Sequence, residues 1–307
     1  MSCVLLFPGQ GEQYPGMFAD LPESAQTAAV FDEVSAALGT DARALDGADH
    51  LHSNADTQLA LFTAGVASWR ALYATGVRAD YVAGHSVGAF AAAVACGTLT
   101  LADAAHAVHV RGTAMEQAYP SGYGMGVVLG LDENAVRELA EDIRTDDQPV
   151  YASNINAPRQ IAVSGSETAV DRLLAAAHTR GATRARRLAV SVPAHCPLMD
   201  GARKQFAASI DAVTFQRPRV PFAGNVGGRT LRTAEAIRAD LIDAIAAPVR
   251  WHDAISVLYE RGARLFIQAS PGDTLARLAE QAFPEARVAA LQTTSPQRLR
   301  ELADRCG

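Results

Sequence analysis

The chain has 307 residues, enough for one large domain or a large domain carrying a smaller insert. Its 49% hydrophobic and 20% charged content is that of an ordinary globular protein, and a net charge of −6 gives no global case for binding nucleic acid or an anionic membrane. Cys3, Cys96, Cys196 and Cys306 lie far apart with no CxxC pair, a spacing that fits reduced thiols in a cytoplasmic protein rather than a disulfide framework or a zinc site.

The first segment, "MSCVLLFPGQG", has no basic leader, and its apolar run breaks at Pro8-Gly9. It reads as a first strand, not a signal peptide. In the loop "FPGQGEQYPGM" (7–17), Gly9 and Gly11 flank Gln10 and permit close backbone approach. Such a loop either supplies an N–H to an oxyanion hole or is a plain β-to-helix turn. No Gly-Lys-Ser/Thr follows, so it is not a Walker A loop.

From Tyr81 to Ala102 there is no Asp, Glu, Lys or Arg. A membrane span needs roughly 20 apolar residues, so length alone permits one. The run is broken, however, by Gly84, His85, Ser86 and Gly88 in "GHSVGAF" (84–90). A strand over 79–84, a tight Gly-x-Ser-x-Gly turn and an Ala-rich helix over 87–97 account for every break. The turn pushes Ser86 outward at a helix N-terminus, as a nucleophile elbow does; an incidental Ser in a Gly-rich turn is the bland alternative.

The next helix, 101–119, carries Ala104, Val108 and Met115 on one stripe, and Arg111 falls on it. A guanidinium there needs an anion, unless its stem packs while its head reaches water or a protein carboxylate. A bidentate grip on a substrate carboxylate is the sharper reading.

A different unit follows. Strands are predicted over 125–131, 149–155, 159–165 and 186–192, and helices over 132–145 and 166–181. Val136, Leu139, Ala140 and Ile143 line the first helix's inner face; Val170, Leu173, Leu174 and Ala177 line the second's. The order β-α-β-β-α-β is that of a ferredoxin-like subdomain. The predicted division is 1–124 with 192–307 as an α/β catalytic domain, and 125–191 as an insert. Beyond it, "SVPAHCPLMD" (191–200) holds His195 between Pro193 and Pro197, a reasonable mount for a base serving Ser86. Cys196 is a rival nucleophile, but a buried inert thiol is its ordinary reading.

The chain resembles the malonyl-CoA:acyl-carrier-protein transacylase family over nearly its whole length. The carrying motifs are "FPGQGEQ" (7–13), "GHSVGAF" (84–90), "RGTAM" (111–115), "SNINAPRQIAVSG" (153–165), "SVPAHCPLM" (191–199), "PVRW" (248–251) and "SPGDTL" (270–275). The resemblance implies an α/β-hydrolase-like core with the ferredoxin-like insert. It implies Ser86 as acyl-accepting nucleophile, His195 as its base and Arg111 as the grip on the malonyl carboxylate. It also implies an oxyanion hole from the Gln10 and Val87 N–H groups, and Gln58, Asn154 and His85 along the substrate pocket. No permanently bound cofactor and no metal are implied; malonyl-CoA is the substrate, and the partner supplies the prosthetic arm.

Two segments, "MEQAYPSGYGMGVVLGLDE" (115–133) and "PVRWHDA" (248–254), look like the acyltransferase subunit of bacterial malonate decarboxylase. By that likeness the acceptor is the decarboxylase carrier subunit, with other decarboxylase subunits as further partners. A malonyl transacylase of fatty-acid or polyketide synthesis is the alternative, and a serine esterase or thioesterase a lesser one. Ala244 and Ala247 stand where the broader family often has Gln and Asn; a main-chain carbonyl from this segment is expected to orient the base. Carriers of this kind are usually acidic, so docking needs a local basic surface. "TRGATRARR" (179–187) offers Arg184, Arg186 and Arg187, or is a solvated basic edge.

Overall fold

In the computed structural model, which describes residues 2–305, strands and helices alternate for most of the chain. The strands are β1 (Ser2–Phe7), β2 (Tyr81–Gly84), β3 (Tyr123–Leu129), β4 (Val150–Ala157), β5 (Gln160–Ser166), β6 (Arg184–Arg187), β7 (Phe222–Ala223), β8 (Thr230–Leu231), β9 (Ala263–Gln268) and β10 (Arg287–Ala290). The helices are α1 (Ala25–Leu38), α2 (Asn54–Ala74), α3 (Gly88–Ala95), α4 (Leu101–Ala118), α5 (Glu133–Ile143), α6 (Glu167–Thr179), α7 (Asp200–Ser209), α8 (Ala234–Asp243), α9 (Trp251–Glu260), α10 (Thr274–Ala282) and α11 (Pro296–Asp304).

The larger sheet has the order β10-β9-β1-β2-β7-β8 and is parallel apart from the β7–β8 pair. Strand β1 is buried from Cys3 to Phe7, which is why it reads as a continuous apolar run rather than an alternation. β1 and β2 are neighbours, with Phe7 opposite Gly84. They end at the same edge of the sheet, so the loop carrying Gln10 and the turn carrying Ser86 emerge side by side. Carboxyl ends of parallel strands are where such sheets bind ligands.

The smaller sheet has the order β4-β5-β3-β6 and is antiparallel throughout. Helices α5 and α6 bury the two predicted stripes in one core with it. Its edge strand departs from expectation. β6 covers Arg184–Arg187, not 186–192. The Leu188 N–H still donates to the Met125 carbonyl, at 2.9 Å. Past it, Val192 and Ala194 are buried in the main core, and this draws the chain off the sheet towards His195. The smaller sheet is tied to the segment just before α9, where Ile155 N–H donates to Val249 O and Val249 N–H to Ser153 O, at 2.8 and 2.9 Å.

No helix among the described residues is long and apolar enough to cross a membrane. The uncharged stretch is β2, the turn and the short helix α3, whose Ala89–Ala93 face is buried in the core. Cys3, Cys96 and Cys196 are buried, and Cys306 lies outside the described residues.

Candidate active site

Ser86 sits on the turn between β2 and α3 with φ of 53°, in the left-handed region. Gly84 and Gly88 make the turn possible. A side chain on Gly84 would overlap the Gly88–Ala89 backbone, and one on Gly88 would overlap the carbonyls of Phe7 and Pro8. His195 has φ of 63°; among the described residues it and Ser86 are the non-glycine residues with positive φ. Backbone strain of this kind concentrates where a side chain must be aimed.

The two side chains meet. His195 Nε2 lies 2.8 Å from Ser86 Oγ, and His195 Nδ1 lies 2.5 Å from the Ala244 carbonyl. A carbonyl only accepts, so Nδ1 carries the proton and donates, leaving Nε2 to accept from the Ser86 hydroxyl. The backbone that carries the ring is held further: the His195 main-chain N–H donates to Ile245 O, and the Ser164 hydroxyl donates to Ala194 O. Burial, and then the charge of Arg111, push the imidazole down from 6.5 to about 3, so it is neutral at ordinary pH. The Ala244 carbonyl occupies the place an Asp or Glu takes in a hydrolase triad. Cys196 is no rival: its thiol is buried against Pro193 O and burial pushes it up to about 12.

Arg111 is on α4 and is 1% exposed, so the readings in which its head reaches water are excluded. Its Nη2 donates to Ser86 Oγ at 3.1 Å and its Nη1 to Gln58 Oε1 on α2. Gln58 is in turn fixed against Met115 Sδ. Among the described residues no carboxylate forms an ion pair with Arg111. Burial alone lowers its pKa to about 10, which leaves it charged.

Gln10, His85 and Asn154 line one cleft of about 170 Å³ together with Gly9, Asn156 and Arg186. Neither the Gln10 nor the Val87 main-chain N–H meets a protein acceptor among the described residues. Asn154 is buried, and its Oδ1 has no hydrogen-bond partner among the described residues. His85 turns away from the Ser86 hydroxyl: its Nε2 is 3.0 Å from Asn156 Oδ1 and its ring meets Trp251 edge-on.

One residue of the site escapes sequence reasoning. Asn225, 2% exposed, accepts from the Ser86 N–H and donates to the Gly84 carbonyl, each at 3.0 Å. Asp240 on α8 holds Asn225 by accepting from the Asn225 and Val226 N–H groups at 2.9 Å. The elbow is therefore clamped from β7's side of the sheet. The sole local signal is "GNVGG", which reads as a turn.

The basic run divides. Residues of a strand alternate faces. Arg187 faces α6 and is paired with Asp171 at 2.6 Å and with Glu167 at 3.4 Å. Arg180 is paired with Asp142. Arg184 and Arg186 make no ion pair among the described residues and line a groove with Arg277, Gln160 and Gln281 that continues the cleft. The expected basic surface thus loses Arg187, whose charge is paired with Asp171 and Glu167.

Residues 4–304 match the family described as acyl transferase domain. This chain belongs to that family. It is 36% identical over 298 residues to the malonyl CoA-acyl carrier protein transacylase of Escherichia coli K12, covering 95% of this chain and 96% of the relative. Its fold matches the structure of the malonyl CoA-acyl carrier protein transacylase from Coxiella burnetii with a TM-score of 0.94 and 35% identity, over 100% of this chain and 98% of that one. A malonyl-transacylase solved in complex with its type II PKS acyl-carrier protein matches with a TM-score of 0.91 and 34% identity, over 96% and 97% of the two chains. The chain is accordingly an acyltransferase of the malonyl-CoA:acyl-carrier-protein transacylase family.

Proposed function

We propose that this enzyme carries malonyl from malonyl-CoA, through malonyl-Ser86, to the thiol of an acyl carrier protein of fatty-acid or polyketide synthesis. The observation that carries the reading is the buried, carboxylate-free guanidinium of Arg111 beside the Ser86 hydroxyl. A buried cation needs an anion, and the free carboxylate of a malonyl group supplies one within reach of the attacked thioester.

His195 Nε2 takes the Ser86 proton as Oγ attacks the thioester carbonyl. The Gln10 and Val87 N–H groups receive the oxyanion. Collapse breaks the carbon–sulfur bond, and the departing thiolate of CoA takes the proton from His195. The carrier thiol then gives its proton to His195 and attacks the Ser86 ester, and the proton returns to Ser86 Oγ. The malonyl carboxylate on Arg111 also relieves the repulsion between that guanidinium and the imidazolium that forms.

In the same reading the core, residues 1–124 and 192–307, is α/β-hydrolase-like, and residues 125–191 form a ferredoxin-like insert. The sheet order β4-β5-β3-β6 supports the latter. Gln58 positions Arg111, while Asn154 and His85 line the cleft. Arg184 and Arg186 face an acidic carrier at the mouth of the groove.

A second reading rests on the segments 115–133 and 248–254: the acceptor is the carrier subunit of malonate decarboxylase, whose arm is phosphoribosyl-dephospho-CoA. The named relatives favour the first reading. The test is malonyl-CoA turnover with no carrier, with a phosphopantetheine carrier and with the decarboxylase carrier. The first reading predicts slow hydrolysis alone and fastest transfer to the phosphopantetheine carrier. Free hydrolysis without any carrier would indicate an esterase instead.

A further inference from the structure

Glu12 lies two residues beyond Gln10, in the loop after β1, and is partly buried. Its carboxylate accepts from the Asp273 N–H at 2.8 Å, from the Thr274 N–H at 3.4 Å and from the Thr274 hydroxyl. These are the first donors of α10, a helix whose own N-cap, Asp273, makes no side-chain capping bond. An acidic group at a helix N-terminus satisfies orphan N–H groups and meets the positive end of the helix dipole. Here the cap comes from the loop after β1, some 260 residues earlier in the chain. Gly272 leaves room for it, since a side chain there would overlap the Glu12 carboxylate.

The same loop is tied at its far end. Gln292 accepts from the Gly272 N–H and donates to the Tyr14 hydroxyl and to Asp20, so residues 12–20 are clasped by the segment 270–292. Helix α10 itself supplies Thr274, Leu275 and Leu278 to the cleft that Gln10 and His85 line. Glu12 therefore joins two walls of that cleft.

We infer that Glu12 is a positioning residue: by capping α10 across the sheet it fixes the Gln10 N–H where the oxyanion forms. The inference rests on the proposed acyl-transfer reading and deepens it. Because the contact acts on a group used in the transition state, its loss lowers the acylation rate rather than the affinity for malonyl-CoA.

The test is rapid-quench acylation of the full chain by malonyl-CoA, comparing wild type with Glu12→Ala, Glu12→Gln and Glu12→Asp. Misplacing a reacting geometry by about 1 Å costs on the order of 10- to 100-fold in rate. We expect a fall of that order in the maximal acylation rate of Glu12→Ala, with the half-saturating malonyl-CoA concentration nearly unchanged. Glu12→Gln, which keeps an oxygen acceptor for the Asp273 N–H, restores most of the rate. Glu12→Asp, too short to reach, behaves like Ala and serves if Glu12→Ala does not fold. A lowered melting temperature with an unchanged acylation rate would reduce Glu12 to a helix cap and overturn the inference. So would a change confined to the half-saturating concentration. Absence of any malonyl-Ser86 in wild type would overturn the underlying reading as well, and is read in the same experiment.

Discussion

Arg111 Nη2 donates to Ser86 Oγ at 3.1 Å while Ser86 Oγ lies 2.8 Å from His195 Nε2. The hydroxyl is held between a base and a cation. On the proposed reading the base draws on its proton, while the cation occupies a lone pair of the same oxygen. On that reading a substrate carboxylate that pairs Arg111 also frees the Ser86 hydroxyl. Acetyl-CoA does neither. Leaving a buried charge without its partner costs on the order of 2–5 kcal/mol. Malonyl-CoA is expected to be preferred over acetyl-CoA by a correspondingly large factor, measured as the ratio of kcat/KM values. Arg111→Ala should collapse or invert that ratio. An unchanged ratio would leave Arg111 a structural residue only.

The histidines set a pH dependence. His195 has its pKa lowered from 6.5 to about 3, first by burial and then by Arg111, and His85 is lowered by burial in the same sense. As pH falls the unfolded chain binds these protons first. For His195 the stabilising contribution is complete above about pH 6.5 and is lost as pH falls towards about 3, with a slope of about 1.4 kcal/mol per pH unit; His85 acts in the same direction. Urea unfolding of wild type and His195→Gln between pH 7 and 5 measures it; the variant should show the shallower loss. The acid limb of kcat/KM should likewise lie below pH 6.5, since the free enzyme's base stays neutral there.

Asn225 gives a third expectation. Asn225→Ala leaves the Ser86 N–H and the Gly84 carbonyl without their partner, a cost of about 1–3 kcal/mol for each buried group left unpaired. The elbow loses its fixed φ, so malonyl-Ser86 formation should slow by roughly 100-fold, as for a misplaced reacting group. Asn225→Asp keeps the acceptor and loses the donor, and should fall between. Stopped-flow release of CoA checks both.

The divided basic run makes the carrier face testable. Reversing Arg184 and Arg186 to Glu should slow malonyl transfer to the carrier and leave acylation by malonyl-CoA nearly unchanged. Transfer should weaken with salt, because exposed charges are screened over about 8–10 Å at ordinary ionic strength. Arg187→Glu breaks the pairs with Asp171 and Glu167 on the other face of β6 and should cost stability without slowing transfer. Equal loss in both half-reactions for the Arg184 and Arg186 reversal would place the damage in the fold or the CoA site.

Much of this site is written in local patterns. Ser86 is announced by glycines two residues either side, Arg111 by a charge on an apolar stripe, and His195 by flanking prolines. The helices of the smaller unit follow from their stripes. What local pattern does not carry is contact made through the parallel sheet. Asn225 reaches Ser86 because β7 lies beside β2, and Glu12 reaches α10 because β1 lies beside β9. The end of β6 was hidden for a similar reason: Val192 and Ala194 continue an apolar strand-like run but belong to the other core. The split between Arg186 and Arg187, by contrast, follows from strand alternation alone.

On the proposed reading Ser86 carries the malonyl group between two thiols. Brief incubation with malonyl-CoA, then intact-protein mass spectrometry and peptide mapping, tests it most directly. One malonyl group is expected, on the peptide containing Ser86, absent from Ser86→Ala and discharged by adding a carrier thiol. A malonyl group on Cys196, or undiminished labelling of Ser86→Ala, would contradict it.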